Sequence, residues 1–571
     1  MAVLGFQLVT TLVAASVLSK IVTYFSFTRL LYNGLVRFAV PTDEQLLNAI
    51  GNQKMRNKTK KRRPEGNGSG LNSDADVFYF PRTMAIPLHP TTVSHTEAVT
   101  LPLYSSCQWL LDFTVCSIAV YLITEVAHSP FMSWYRIPQT ANGSVTTTAV
   151  LNSTVSLPAM ISFSTRINLS LVWLGLTVWF TLRTLLLMTG IYFRRSSPDS
   201  ARSESRNLSS SSAGHSNSSE QDASTAEWLL VLSAGFIFLV ITGFVLALDG
   251  RYFDFNLHEA YGNLTLGTHA ATAAPLITWG AFQSILAVTC GLIGAVYIYP
   301  GLKFGKIYLD TVNNESVSWG KRLLLHLTFI APLFPILLWV HPIIQHLVHS
   351  LTACKQSPWV AQQPFLLVAL TLLCECLSDH LETTRLFACL FVVMLRCFTT
   401  RWNLQAYLNS AKEKLDRFNR EPGRTSNREV QRLVASIFYC INLVALQCIA
   451  PTILLLAMVC LYKSVAGLSW FPAVPSTSKE SGLTGVSTPP SAATGSDFGQ
   501  WTSTDSSTES DRPWLVIVSE ARLAFNQFTE VLSVRGMAVS RGVFGFLVWW
   551  CLTALQSVSL LGLAYHRFAS T

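Results

Sequence analysis

Residues 433–461 read LVASIFYCINLVALQCIAPTILLLAMVCL, 29 positions without one Asp, Glu, Lys or Arg. A hydrocarbon core about 30 Å thick is crossed by roughly 20 apolar residues of α-helix, at about 1.5 Å each. This run is long enough to cross. The same ruler finds eight more candidates: Val3–Tyr24, Cys107–Ala127, Leu169–Phe193, Ala226–Leu248, Leu276–Tyr299, Leu323–Val340, Leu381–Thr399 and Gly542–Tyr565. The seventh is the weakest by hydropathy, because Glu382, Arg385 and Arg396 interrupt it. The predicted fold is all-α: a polytopic transmembrane helical bundle of about nine spans, eight if the first run is a cleaved signal, with amphipathic interfacial helices and disordered polar loops.

Composition agrees. The 571 residues are 50% hydrophobic and 13% charged, about half the charge of a soluble globular chain, and the mean hydropathy is +0.37. The net charge of +9 is carried by clusters beside apolar runs, which favours anionic lipid over nucleic acid. Almost all of the 12 cysteines fall within or beside apolar runs, where they act as small hydrophobes, and no structural disulfide is expected. No phosphate-loop, HExxH or GxSxG pattern occurs, so neither an enzyme nor a cofactor is predicted. His341, His346 and His349 have the wrong spacing for a one-face metal pair and read as interfacial polar residues.

Orientation follows from positive charge, which resists translocation. With Lys20 counted in the first, the loops after the odd-numbered spans hold 27 Lys and Arg; those after the even-numbered spans hold 10. The first set is placed in the cytosol, with the N-terminus outside. No Lys or Arg precedes the first run and Lys20 and Arg29 follow it, which favours a retained anchor over a signal peptide. Arg535 and Arg541 oppose this scheme on the outer side of the last span. The expected organisation is a first transmembrane segment or signal anchor (1–24), a basic, largely disordered cytosolic loop (25–106), the main bundle (107–465), a disordered Ser/Thr-rich loop (466–513) and an amphipathic segment plus the last transmembrane helix (514–571). Residues 196–225 are likewise Ser/Thr-rich and expected to be disordered.

Within the bundle, Leu404, Leu408, Ala411, Leu415 and Phe418 recur at helical spacing until Pro422-Gly423, predicting an amphipathic helix over 402–421 on the inner membrane face. Basic runs at Lys54 to Arg63 and Lys412 to Arg432 are expected to contact anionic lipids, with the bilayer and other membrane proteins as partners. Asn142, Asn152 and Asn263 sit in outer loops as candidate N-glycosylation sites.

Charges inside spans are the candidate functional residues, since each costs upward of about 2.5 kcal/mol unless paired or snorkelled. They are Asp112, Glu125, Arg183, Arg385 and Arg396. Arg183 is expected to face the bundle interior. Arg385 and Arg396 are about three turns apart on one face. Two interhelical ion pairs are expected, Glu125 with Arg385 at the outer level and Asp112 with Arg396 or Arg183 at the inner level. Such pairs can fix helix register or line an ion path.

Several blocks resemble the transmembrane protein 161 family: QWLLDFTV with YLITEV (Gln108–Val126), NLSLVW (Asn168–Trp173), YPGLKFGKIYLD (Tyr299–Asp310), HLTFIAPLFPILLWVHPI (His326–Ile343), NLQAYLNSA (Asn403–Ala411), ALQCIAP (Ala445–Pro451) and RGVFGFLVWW (Arg541–Trp550). The family pattern has a basic residue at the position of Arg183, acids at those of Asp112 and Glu125, and arginines at those of Arg385 and Arg396. The chain departs from it in its long Ser/Thr-rich loops and in the 13-residue apolar insertion Pro364–Cys376, short for a crossing and read as a re-entrant or surface helix. The resemblance implies no catalytic activity and a modulator of cellular excitability and stress responses. The leading expectation is therefore a non-enzymatic multi-pass protein of the plasma membrane or an endomembrane that modulates other membrane proteins, channels among them. The alternatives are a transporter or channel with a polar path around Arg183, Asp112 and Glu125, and a purely structural endomembrane protein.

Overall fold

The computed structural model describes residues 6–24, 26–49, 78–82, 86, 88–128, 170–195, 217–268, 278–313, 317–357, 363–468, 470 and 513–569, with side chains of the last segment described from 538 onward. Asn142, Asn152 and the basic run Lys54 to Arg63 lie outside these residues, as do most of the two Ser/Thr-rich linkers. Helices dominate. In chain order they begin with α1 (Phe6–Tyr24), α2 (Phe27–Tyr32), α3 (Asp43–Ala49), α4 (His95–Val99) and α5 (Tyr104–His128). Next come α6 (Ser170–Arg195), α7 (Asn217–Ala247), α8 (Leu257–Thr268), α9 (Trp279–Val296) and α10 (Ile298–Asn313). A broken stretch comes after these as α11 (Trp319–Ile330), α12 (Leu333–Leu337) and α13 (His341–Lys355), then α14 (Pro364–Ser378) and α15 (Leu381–Arg420). The chain closes with α16 (Asn427–Tyr439), α17 (Ile441–Val465) and α18 (Pro513–Ala569).

Among the described residues, seven segments are long and apolar enough to cross a bilayer, within α5, α6, α7, α9, α11–α12, α16–α17 and α18. They coincide with seven of the nine expected spans. The other two fall short of that standard: α1 has a shorter apolar stretch, Thr11–Val22, and α15 carries Glu382, Arg385 and Arg396 in its first half. α14 is 15 residues, about 22 Å, too short to cross unaided. It packs against α13, and Arg385 at the start of α15 bonds the Leu338 carbonyl just before α13, so the chain leaves and rejoins the bundle at one end.

α17 is the axis of the bundle, buried along almost its whole length by α6, α15, α18, α10 and α5. Its sequence has no polar face because every face meets another helix. α10 crosses α18 at backbone contact: a Cβ on Gly305 would lie 2.6 Å from the Ser559 carbonyl oxygen, and one on Gly562 would lie 2.9 Å from Leu302 Cα. Small residues let membrane helices approach this closely, so that dispersion and weak backbone contacts replace the missing hydrophobic drive. Pro332 and Pro335 break the sixth expected span, since neither supplies an N–H to the helix ladder. Side chains of α18 serve carbonyls beside the break: Gln556 Nε2 donates to Phe329 O at 3.0 Å and Trp549 Nε1 to Ile336 O at 3.2 Å.

Two expectations are corrected. The amphipathic helix predicted over 402–421 on the membrane face is the second half of α15, a single 40-residue helix about 60 Å long. No Gly or Pro interrupts it before Pro422, and Leu404, Leu408, Ala411 and Leu415 are buried in protein rather than lipid. The predicted disordered loop 25–106 supplies much of what covers them. Its described parts form α2–α4 and strands β1 (Val36–Phe38), β2 (Tyr79–Pro81) and β3 (Pro90–Thr92), while β4 (Arg424–Ser426) follows α15. β1 pairs antiparallel with β3, and β2 with β4. The Gln405 side-chain amide both donates to and accepts from the Val36 backbone, each at 2.9 Å, fastening β1 to α15. Phe80, Leu46, Leu415 and Val430 form a second small core there.

Candidate functional site

Inner and outer follow the Lys/Arg bias of the loops. At the outer end, helix ends and the short connection after α7 surround a cavity of about 400 Å³ lined by Asp254, Glu259, Trp339, Glu382, Tyr462 and Arg541, among others. α15 enters here, and Arg385 on its first turns is 1% exposed. Its Nη2 donates to Asp254 Oδ2 at 2.8 Å and its Nε to the Leu338 carbonyl at 2.9 Å, while its guanidinium carbon lies 5.3 Å from the Trp339 ring centre. The Leu338 carbonyl is open to such a donor because the residue four positions on is Pro342, which has no N–H.

Glu382, one turn before Arg385, is the hub of the cluster. One of its carboxylate oxygens meets Arg541 of α18 and lies 3.9 Å from Arg385; the other accepts from the Tyr462 hydroxyl at 2.7 Å. Arg541 is one of the two residues that opposed the charge bias, and this pairing gives its cation a counter-charge at that end. The connection that carries Asp254 is held by Asp249, whose carboxylate accepts from the backbone N–H groups of Leu257 at 2.9 Å and Phe255 at 3.3 Å. Burial pushes Asp249 above the usual carboxylate range, opposed by these N–H groups. Nearby, Glu125 near the end of α5 pairs with Lys463 near the end of α17, and the Lys463 ammonium lies 5.6 Å from the Trp470 ring centre.

The five charges singled out in the sequence divide accordingly. Glu125 and Arg385 do sit at the same outer end, but the expected pair between them is not formed; Lys463 and Asp254 take their places. Asp112 makes neither expected inner pair. Its Oδ1 accepts from the backbone N–H of Phe27 at 3.2 Å, anchoring the first turn of α2, where N–H groups lack helix partners. Arg396 shares the buried face of α15 with Arg385, as expected, but no carboxylate among the described residues pairs with it. Its guanidinium lies 4.7 Å from the Phe304 ring centre and its Nε is buried without a hydrogen bond.

Arg183 is the clear correction: it is exposed on the perimeter of α6 rather than turned into the bundle. α6 is apolar on all sides, so its sequence does not fix its rotation; Leu174, Thr177, Thr181, Leu185 and Met188 face inward instead. Asp254, Glu382, Tyr462, Lys463 and Arg541 were not among the predicted site residues. Only Arg541, as a topological anomaly, and Glu382, as an interruption of a span, carried a signal. Asn263 lies on α8 beside the outer cavity's connection, with its side chain outside the described ones. Among the described residues no three His, Cys, Asp or Glu converge as a metal site, and His341 is bonded instead to Gln345 at 2.7 Å.

A family model described as predicted transmembrane protein 161AB matches residues 2–136, 141–212 and 215–570. No solved structure matches the chain.

Proposed function

We propose that this chain, which belongs to the family described as transmembrane protein 161AB, is a non-enzymatic modulator of other membrane proteins, ion channels that set cell excitability among them, and acts by lateral contact within the bilayer. It is a transmembrane protein, with seven segments suited to crossing among the described residues. The observation that carries the reading is the division of its charges. At the outer end they are spent on one another, and between that end and the inner one Phe546, Trp550 and Leu386 are closely packed and buried, which is poor material for an aqueous path.

Arg183 supports contact from outside. It lies eight residues before Ile191, where the apolar stretch of α6 ends, so its Cα is about 12 Å from that end. Helical Cα–Cβ bonds tilt toward the N-terminus, here the outer end, so an inward snorkel runs against the side chain's initial direction. With Arg183 itself between Trp179 and Leu186, the exposed residues Val172, Leu176, Trp179, Arg183 and Leu186 follow alternating spacings of four and three, the seam that a second helix packs into. A partner helix bearing an acid at that depth satisfies both features.

Purified protein in liposomes tests the proposal together with whole-cell current recordings. The reading expects no ion or solute flux from the protein alone, and currents altered by the wild type but not by an equally expressed Arg183→Leu variant. Flux that Glu382→Gln abolishes contradicts it and favours a second reading: a transporter or receptor whose outer cavity, with Asp254, Glu259 and Glu382 against Arg541, takes a small cationic solute.

A further inference from the structure

At the inner end, α10 and α15 part around a small cleft walled by Lys303, Lys306 and Asp310 from α10 and by Tyr407, Ser410 and Lys414 from α15. Three ammonium groups and one carboxylate line it, and a second carboxylate, Glu413, is within electrostatic reach of Lys306. None of the three lysines forms an ion pair within 4.0 Å among the described residues. Lys303 is packed with its ammonium 4.7 Å from the Tyr407 ring centre. Burial, then Lys306 and Lys414, push its value down to about 8, with Cys448 and Asp310 opposing weakly. Lys414 is lowered by burial and then by Lys306. Burial raises Asp310, with Lys306, Arg417, His566 and Lys303 opposing.

A second observation points the same way. Arg396 is 6% exposed, no carboxylate among the described residues pairs with it, its Nε lacks a hydrogen bond, and its guanidinium lies over Phe304, the residue after Lys303. Cys448 of α17 is within electrostatic reach of both Arg396 and Lys303. A buried cation without a counter-charge is strongly unfavourable unless something supplies one. The cleft lies on α10, outside the candidate spans, toward the end of the bundle that the Lys/Arg bias places inside. Basic pockets between membrane helices on that side are suited to phosphorylated headgroups.

We propose that the cleft between α10 and α15 binds the phosphate-bearing headgroup of an anionic lipid from the inner leaflet, with Lys303, Lys306 and Lys414 on the phosphate and Arg396 beneath it. The proposal rests on the membrane reading but not on modulation; lipid binding by a protein that conducts flux leaves it intact.

The test uses the full chain in phosphatidylcholine nanodiscs with graded phosphatidylinositol 4,5-bisphosphate, read as thermal stabilisation. Wild type is expected to be stabilised, more than by phosphatidylserine. The Lys303→Gln/Lys306→Gln/Lys414→Gln variant is expected to bind roughly a hundredfold more weakly; Lys303→Arg and the exposed control Arg420→Gln keep the response. Lipid affinity should fall between pH 7 and pH 9 as Lys303 loses its proton. An unchanged lipid response in the triple variant overturns the site. Equal stabilisation by the soluble inositol trisphosphate overturns the lipid as its source.

Discussion

Replacing Arg385 by Met removes the cation at the centre of the outer cluster while keeping most of its aliphatic volume, so little packing is lost. Two electrostatic losses remain. The Leu338 carbonyl loses a donor at 2.9 Å, and a buried acceptor left bare costs about 1–3 kcal/mol. Asp254 loses its partner at 2.8 Å but is 31% exposed, so water recovers part of that and the loss is about 1 kcal/mol. Glu382 keeps Arg541 and Tyr462 and adds little. The expected destabilisation is therefore about 2–4 kcal/mol. In the Asp254→Asn background the same substitution should cost about 1 kcal/mol less, because no bare carboxylate is left behind. Unfolding in detergent micelles followed by tryptophan fluorescence measures both, with Trp339 5.3 Å from the guanidinium. If Arg385→Met is as stable as the wild type, or if the two substitutions simply add, the cluster does not hold the outer end together.

Gly305→Leu should prevent stable folding, because even its Cβ would sit 2.6 Å from a backbone oxygen of α18 and 2.8 Å from the Leu563 nitrogen; a monodisperse, wild-type-like peak in size-exclusion chromatography would count against the α10–α18 contact. Lys303 titrates at about 8 in the fold and near 10.4 when unfolded. Between those values the unfolded chain binds more protons, so the Lys303 contribution to stability rises with pH. In phosphatidylcholine alone, Lys303→Met should thus be more stable than wild type at pH 7, with the gap closing between pH 8 and pH 10; a gap constant across that range contradicts the crowded-cation account. Arg183→Leu should leave stability unchanged or slightly higher, since an exposed charge leaves a lipid-facing surface; a loss of several degrees in Tm would mean that Arg183 has an interior partner.

Span positions were legible because hydropathy over about 20 residues is a property of each segment alone. Glu125 and Arg385 lie at one end of the bundle, and Arg396 follows Arg385 about 16 Å along the same buried face of α15. Pairing was not legible, because it depends on helix rotation and on residues outside the spans. Asp254 lies in a connection and Lys463 at a helix end, where charges look unremarkable in sequence. The continuation of α15 was hidden for a related reason. Its stripe Leu404, Leu408, Ala411 and Leu415 fits a lipid surface as well as a protein one, and the covering residues Leu46 and Phe80 come from a segment whose polar composition reads as disorder. Arg183 was misplaced because pairing was assumed for every buried charge, whereas an arginine on the rim needs only lipid or a neighbour.

The most direct examination of charge neutralisation between helices is a swap at Glu125 and Lys463. Thermal unfolding of Glu125→Lys, Lys463→Glu and the double exchange should show each single reversal losing stability through like charges at contact, and the exchange recovering most of it. An exchange no more stable than the weaker single variant would mean that these side chains do not hold α5 against α17, and the paired-charge description of the outer end would have to be abandoned.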